Sequence, residues 1–188
     1  LRRRLAETVR MDFFGAPGQE AARGLIDGVE ARLRAPEPGP SAAKARAGLG
    51  TLRRRTWVTR SGVHVDRMAS AWLIQTFIDV EARFKFVAAK GYKPKAGELR
   101  FDMFEAEYTH EGDRCTFEVL INRLELRDPA LQSIAEIVHD IDLKDGKFRR
   151  QEALGIDRLV AGIAMAHAED AARIAAASPV WDGLYEYF

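Results

Sequence analysis

Hydrophobic residues in this 188-residue chain follow two different spacings, and the change of spacing divides the chain into parts. Over residues 1–35 they recur every three to four positions, as on one face of an α-helix. Gly15 and Pro17 interrupt this pattern, so two helices are predicted there. The second helix is predicted over residues 19–33, with an apolar stripe at Ala22, Leu25, Ile26, Val29 and Leu33.

Residues 36–53 form a composition break, because they contain three prolines, three glycines and few large apolar side chains. Such a composition is typical of a linker. We therefore predict a helical segment at 1–35, which would be the tail of a truncated N-terminal domain. A linker is predicted at 36–53 and a folded domain at 54–188.

The folded domain mixes strand-like and helix-like patterns. Strands are predicted for TWVT from Thr56, for 84–88, and for short stretches at 99–101, 107–109 and 114–117. Helices are predicted at 67–78 with Asp66 as N-cap, at 117–124 with Thr116 as N-cap, and after Asp128-Pro129. The tail is predicted as helices at 151–168 and 171–176 and from Ser178-Pro179 onward. The pattern indicates an α+β fold, in which a small mixed sheet is covered by helices.

Charge and cysteine content narrow the function classes. The 29 basic and 28 acidic residues give a net charge of +1, which provides no argument for nucleic-acid or membrane binding by this part. No apolar run reaches the roughly 18 residues of a membrane-spanning helix. The single cysteine, Cys115, cannot form an internal disulfide, so a cytoplasmic location is predicted.

The start of the chain suggests further association. Leu1 already lies within a helical pattern, so we expect an upstream part of the protein. The apolar stripes of residues 1–35 need a partner, which makes a homodimer plausible.

A first candidate site is basic. Arg60, Arg67 and Arg114 carry guanidinium groups, whose paired N–H donors match the oxygens of an oxyanion. Arg67 also lies in the first turn of a predicted helix, where backbone N–H groups attract anions. A cation at a helix N-terminus needs a compensating negative charge, and a structural pair with Asp102 or Glu118 is the alternative.

A second candidate site would hold a divalent transition metal, with zinc, iron or manganese fitting the ligand types. The predicted ligands are His110, Glu118, His139 and Asp142, with Asp66 and His64 as further candidates. Asp102 is a further carboxylate that could join them. No spacing in the sequence matches a recognised metal motif such as HExxH. A terminal or loop histidine without a metal is the alternative.

Cys115 is a weak candidate for a catalytic residue. Its neighbour Arg114 would favour the thiolate, whereas a lone cysteine is more often a small buried hydrophobic residue. The sequence lacks a P-loop, a GxGxxG after a strand and a GxSxG motif, which argues against nucleotide and serine hydrolysis.

Four stretches of the sequence resemble the chromate-resistance family of ChrB-type proteins. They are WVTRSGVHVDRMASAWLIQTFID from Trp57, FDMFEAEYTHEGDRCTFEVLI from Phe101, LRDPALQSIAEIVHDIDLKD from Leu126, and WDGLYEYF from Trp181. The segment DFFGAPG from Asp12 resembles the end of the helical N-terminal half of these proteins. The positions that match the family pattern are Arg60, Asp66, Arg67, Trp72, Asp102, His110, Cys115, Glu118, His139 and Asp142, whereas His64 departs from it.

The resemblance implies a role in bacterial chromate resistance. Family members are associated with a chromate efflux transporter and act as chromate-responsive regulators of its operon. We therefore expect a sensor that binds chromate or a similar oxyanion at the Arg/His site and contacts DNA only through its N-terminal half. The alternative is a metal-dependent enzyme or metalloprotein that acts in chromate detoxification. The sequence leaves open whether the chain catalyses a reaction.

Overall fold

The computed structural model describes residues 52–88 and 91–188. The helices predicted at 1–35 and most of the linker predicted at 36–53 lie outside the described residues. Within the described part, strands and helices occur together and confirm the predicted α+β class.

Three short parallel strands form the sheet. They are β1 (Thr56–Arg60), β2 (Arg83–Val87) and β3 (Glu98–Arg100), and their order is β2-β1-β3. The central strand β1 is the most deeply buried, and Trp57, Val58 and Thr59 have no exposed surface. A row of buried, mostly β-branched or aromatic residues suits a strand with neighbours on both sides.

The sheet is parallel, so the prediction of a mixed sheet is wrong. The strands predicted at 107–109 and 114–117 do not form, and these segments contribute only isolated bridges, between Phe101 and Tyr108 and between Glu111 and Arg114. The second segment cannot extend as a strand because a helix begins at Thr116.

The described part of the chain also contains five helices. They are α1 (Val65–Leu73), which continues as a π-helical turn over Ile74–Ile78, α2 (Thr116–Arg123), α3 (Pro129–Asp142), α4 (Ala153–Ala166) and α5 (Asp170–Tyr187). Helix α1 packs against α2, α3 and α5, and one continuous hydrophobic core joins them. None of the described helices is both long and apolar enough to cross a membrane.

Two predicted helix caps are wrong. Helix α1 begins at Val65 with His64 as N-cap, so Asp66 lies inside the first turn and does not cap its own helix. Helix α2 has Cys115 as N-cap, and the Glu118 carboxylate accepts a hydrogen bond from the Cys115 N–H at 2.9 Å. Asp66 instead accepts hydrogen bonds from the N–H groups of Thr116 and Phe117 at the start of α2, which are 50 and 51 residues away in the sequence.

Helix α3 begins where the sequence predicts it, whereas α5 is longer than predicted. Asp128 is the N-cap of α3 and accepts from the N–H groups of Ala130 and Leu131, as predicted. The predicted break near Pro179 is absent, because α5 runs continuously through this residue. Proline removes one helical hydrogen bond, and the tertiary packing of α5 against α1, α3 and α4 holds the helix together.

Candidate functional site

The carboxyl ends of the parallel strands define the place of the candidate site. Strand β1 ends at Arg60, α1 begins shortly after it, and Asp102 follows the end of β3. The next strand in sequence, β2, lies on one side of β1, and β3 lies on the other. In open α/β sheets, ligands bind outside the carboxyl ends of strands where the connections diverge in this way.

His110 brings three carboxylates together at this edge. Its Nε2 atom lies 3.2 Å from Oδ2 of Asp66, 3.5 Å from Oδ1 of Asp102 and 3.4 Å from Oδ2 of Asp142. One ligand atom each from Asp66, Asp102 and His110 lie within 4.8 Å of one another. We call Asp66, Asp102, His110 and Asp142 the His110 cluster. Its members come from α1, from α3 and from the connection between β3 and α2.

Asp66 is fixed by the beginning of α2. Its Oδ1 accepts a hydrogen bond from the N–H of Phe117 and its Oδ2 one from the N–H of Thr116, both at 2.9 Å. Only 2% of Asp66 is exposed, so these bonds compensate for the loss of water around its carboxylate. The same Oδ2 atom of Asp66 also faces the ring of His110.

Asp102 joins the cluster to the arginines. Its Oδ2 atom lies 2.8 Å from Nε of Arg67, whereas its Oδ1 atom faces His110 and accepts from the Thr116 hydroxyl at 3.4 Å. The backbone of Asp102 has a φ of +46°, which non-glycine residues seldom adopt. The fold therefore maintains a strained backbone where this carboxylate enters the cluster.

Arg67 is committed to contacts within the protein. Besides Asp102, its guanidinium donates to the backbone carbonyls of Arg60 at 3.1 Å and Gly62 at 3.0 Å. The structure thus contains the pair with Asp102 that was the structural alternative for Arg67. Arg60 is held more loosely, because its contacts with Asp102 are 3.3 Å and 3.8 Å long and 40% of its side chain is exposed.

The electrostatics of the cluster favour additional positive charge. Burial and then the charge of Asp66 raise the pKa of the Asp102 carboxyl. Burial is also the main cause that raises the pKa of Asp142 to about 6. The hydrogen bond with Asp66 raises the pKa of His110 above its usual value. All three shifts favour the protonated forms of these groups.

The predicted metal ligands Glu118 and His139 form a separate group. Nδ1 of His139 lies 2.7 Å from Oε2 of Glu118, and its Nε2 lies 3.2 Å from both oxygens of Asp145. His139 has no exposed surface, and its ring packs edge-on against Phe148. Each ring nitrogen of His139 therefore faces a carboxylate of the protein, and we call Glu118, His139 and Asp145 the His139 group.

The remaining predicted residues lie elsewhere. His64 is an exposed N-cap residue, and Arg114 is exposed on the turn before α2. Cys115 has no exposed surface and belongs to the hydrophobic core. Burial raises the pKa of its thiol far above the usual range, so the thiolate needed for nucleophilic chemistry is disfavoured.

Two carboxylates of these groups were not predicted as main site residues from the sequence. Asp102 was considered only as a further carboxylate or a partner of Arg67, and Asp145 was not predicted at all. The signal for Asp102 was available, because it directly follows a predicted strand. Asp145 lies in a loop beyond the end of α3, and no spacing marks it as a partner of His139.

The fold and the site define a small α+β domain with a histidine–carboxylate centre at the carboxyl edge of a parallel sheet. Residues 57–188 match the family described as "ChrB, C-terminal domain", and the chain belongs to that family. It is 36% identical over 135 residues to Protein ChrB of Cupriavidus metallidurans. This match covers 71% of the chain and 41% of that protein. No solved structure matches the chain.

Proposed function

We propose that this domain is the effector-binding part of a chromate-responsive regulator. In this proposal the effector site is a divalent metal ion held by the His110 cluster, with Arg60 beside it. Family membership and the sequence resemblance support the role in chromate resistance. The observation that carries the metal site is the spacing of ligand atoms around His110.

The single hydrogen bond between His110 and Asp66 does not account for the position of the other two carboxylates, whereas a metal ion would. Nε2 of His110 lies 3.2 to 3.5 Å from oxygens of three carboxylates. Metal–ligand bonds of about 2.0–2.2 Å place neighbouring ligands about 3.3–3.6 Å apart in a tetrahedral site. A protonated Nε2 carries a single N–H, which cannot point at three acceptors at once. A cation between these atoms would satisfy all of them.

The donor set limits the choice of metal. One imidazole nitrogen and carboxylate oxygens fit zinc, iron or manganese, as expected from the sequence. Asp66 and Asp102 are oriented by Thr116, Phe117 and Arg67, and such outer contacts are typical of metal-binding carboxylates. A bound divalent ion would supply a Lewis-acidic positive charge to an oxyanion.

Arg60 is the residue that would contact the oxyanion. Arg67 has its Nε and one terminal nitrogen engaged by Asp102 and backbone carbonyls. Arg60 is more exposed, and its long contacts leave donors for a ligand. Chromate is a tetrahedral dianion, and a metal ion and one guanidinium would both attract its oxygen atoms.

A second candidate is a metal-free oxyanion site formed by Arg60 and protonated His110. It is favoured by the raised pKa of His110. The negative charges of Asp66 and Asp102 oppose it, because they lie as close to His110 as a bound dianion would. Chromate binding in the presence of a chelator would support this candidate.

Metal analysis of the purified protein, followed by calorimetry with chromate and sulfate, tests the proposal. We expect an equimolar transition metal in the wild type and in His167→Ala, and its loss in His110→Ala and Asp102→Asn. Chromate should bind the metal-loaded protein, and Arg60→Ala should weaken this binding about tenfold or more, as for a lost charge-assisted hydrogen bond. A folded protein that takes up no metal, or metal retained in His110→Ala, would refute the metal site.

A further inference from the structure

The two histidine-containing groups of the domain meet at the first turn of α2. Glu118 lies in this turn, and its Oε2 atom accepts the N–H of Cys115 at 2.9 Å. Asp66 accepts the next two N–H groups of the chain, those of Thr116 and Phe117, both at 2.9 Å. One carboxylate from each group is therefore bound to the N-terminus of the same helix.

The ring of His139 holds Glu118 in this position. Its Nδ1 atom lies 2.7 Å from Oε2 of Glu118, the same oxygen that accepts the N–H of Cys115. An ionised carboxylate can only accept, so Nδ1 of His139 is the donor. His139 has no exposed surface, and the ring of Phe148 packs edge-on against it. The imidazole therefore fixes the carboxylate that caps α2.

The same contact joins α2 to α3, and both helices bear on the carboxylates of the cluster. His139 and Asp142 are three positions apart on α3, which places them on one side of this helix. Thr116, the first residue of α2, donates from its hydroxyl to Oδ1 of Asp102 at 3.4 Å. The positions of Asp66, Asp102 and Asp142 thus depend on how α2 and α3 are held together.

We propose that His139 is a positioning residue for the metal site. It holds Glu118, Glu118 fixes the first turn of α2, and this turn orients the carboxylate of Asp66 toward His110. The inference rests on the metal site proposed above. His139 acts from outside that site, because both its ring nitrogens face the carboxylates of Glu118 and Asp145. Loss of such an outer contact weakens metal affinity by roughly 10- to 100-fold.

Two substitutions of His139 separate this role from the simple loss of a buried side chain. The amide nitrogen of asparagine reaches the position of Nδ1, whereas that of glutamine reaches the position of Nε2. His139→Asn therefore keeps a donor for Glu118, and His139→Gln loses this donor and keeps one for Asp145. Asp128→Ala is the control for a general loss of stability, because it removes the N-cap at the other end of α3.

The zinc affinity of the metal-stripped 188-residue chain, measured by competition with a chelating dye, tests the proposal. We expect His139→Gln to weaken zinc binding about tenfold or more. His139→Asn and Asp128→Ala should bind zinc as the wild type does. An equal loss in either of these two variants would overturn the proposal, because the effect would then come from stability and not from the donor to Glu118.

Amide hydrogen exchange of the metal-free protein, followed by NMR, tests the same link in the absence of metal. The N–H groups of Thr116 and Phe117 are bound to Asp66, so a loosened first turn of α2 should open them to water more often. We expect both to exchange about tenfold faster in His139→Gln than in His139→Asn or Asp128→Ala. Equal rates in the three variants would overturn the proposal.

Failure of the metal site and failure of the positioning role give different results. A wild type that binds no zinc would refute the metal site, and with it the role of His139 there. A wild type that binds zinc, with unchanged affinity in His139→Gln, would leave the metal site intact and overturn only the role of His139.

Discussion

The buried carboxylate of Asp66 accepts a hydrogen bond from the N–H of Phe117, 51 residues further along the chain and 2.9 Å away. Asp66 thereby stabilises the N-terminus of α2 from the first turn of α1. The same carboxylate faces His110. One side chain thus links two helices of the core to the candidate site.

Removal of this contact should destabilise the domain. In Asp66→Ala the N–H groups of Thr116 and Phe117 lose their acceptor in a buried position. Loss of a helix cap costs about 0.5–2 kcal/mol, and buried unpaired groups add about 1–3 kcal/mol. Urea unfolding of the metal-free protein should show a loss of about 2–4 kcal/mol. Asp157→Ala, a control on α4, should change stability by less than about 0.5 kcal/mol.

Substitution of Arg67 should mainly lower stability, whereas substitution of Arg60 should mainly weaken ligand binding. Arg67→Ala removes the partner of the mostly buried Asp102 and the bonds to two carbonyls, so it should cost about 2–3 kcal/mol of stability. Arg60→Ala should cost less than about 1 kcal/mol, because its ion pair is long and half exposed. Denaturation and chromate calorimetry on the two variants would measure this difference. Equal stability losses would contradict the assignment.

The His139 group should make stability depend on pH. The carboxylates of Glu118 and Asp145 raise the pKa of His139 against the opposing effect of burial. The folded pKa lies above the unfolded one, so this stabilisation is complete below about pH 6.5 and is lost as the pH rises through the folded value. The stability difference between the wild type and His139→Gln should therefore shrink as the pH rises above about 6.5. His167→Gln serves as control, and a difference that grows with pH would contradict the sign.

Cys115 should be inert in the folded protein. Its side chain has no exposed surface, and burial raises the pKa of its thiol. A thiol reagent at about pH 8, near the ordinary pKa of cysteine, should label it only after unfolding in urea. Cys115→Ser should retain any chromate reduction shown by the wild type, because the buried thiol is not available for the reaction. Rapid labelling of the native protein would contradict this role.

The elements of the fold were predictable wherever their signals are local. The β-branched run after Thr56 forms β1, and the Asp128-Pro129 pair begins α3, because side chains and backbone within a few residues determine both. Pro179 shows the limit of local signals, since the packing of α5 outweighs the hydrogen bond that proline removes.

The candidate site was predicted as a set of residue types but not as a geometry. His110 and Asp142 were assigned to the same site as Glu118 and His139, yet the structure separates the two pairs. The reason is that Asp145 contacts the second ring nitrogen of His139, whereas Asp66 and Asp102 contact His110. Nothing in the spacing of these residues distinguishes the two arrangements.

The sequence by itself determined the α+β class, the position of the first strand, the start of α3 and the family resemblance from Trp57 onward. Only the tertiary structure decided that the sheet is parallel, that Asp66 stabilises α2, and that Arg67 pairs with Asp102. Local hydrogen bonds and side-chain patterns act over a few residues and can be read from the sequence. The bonds of Arg67 with Asp102 and of Asp66 with Phe117 join residues 35 and 51 positions apart, and only the tertiary packing brings these residues together.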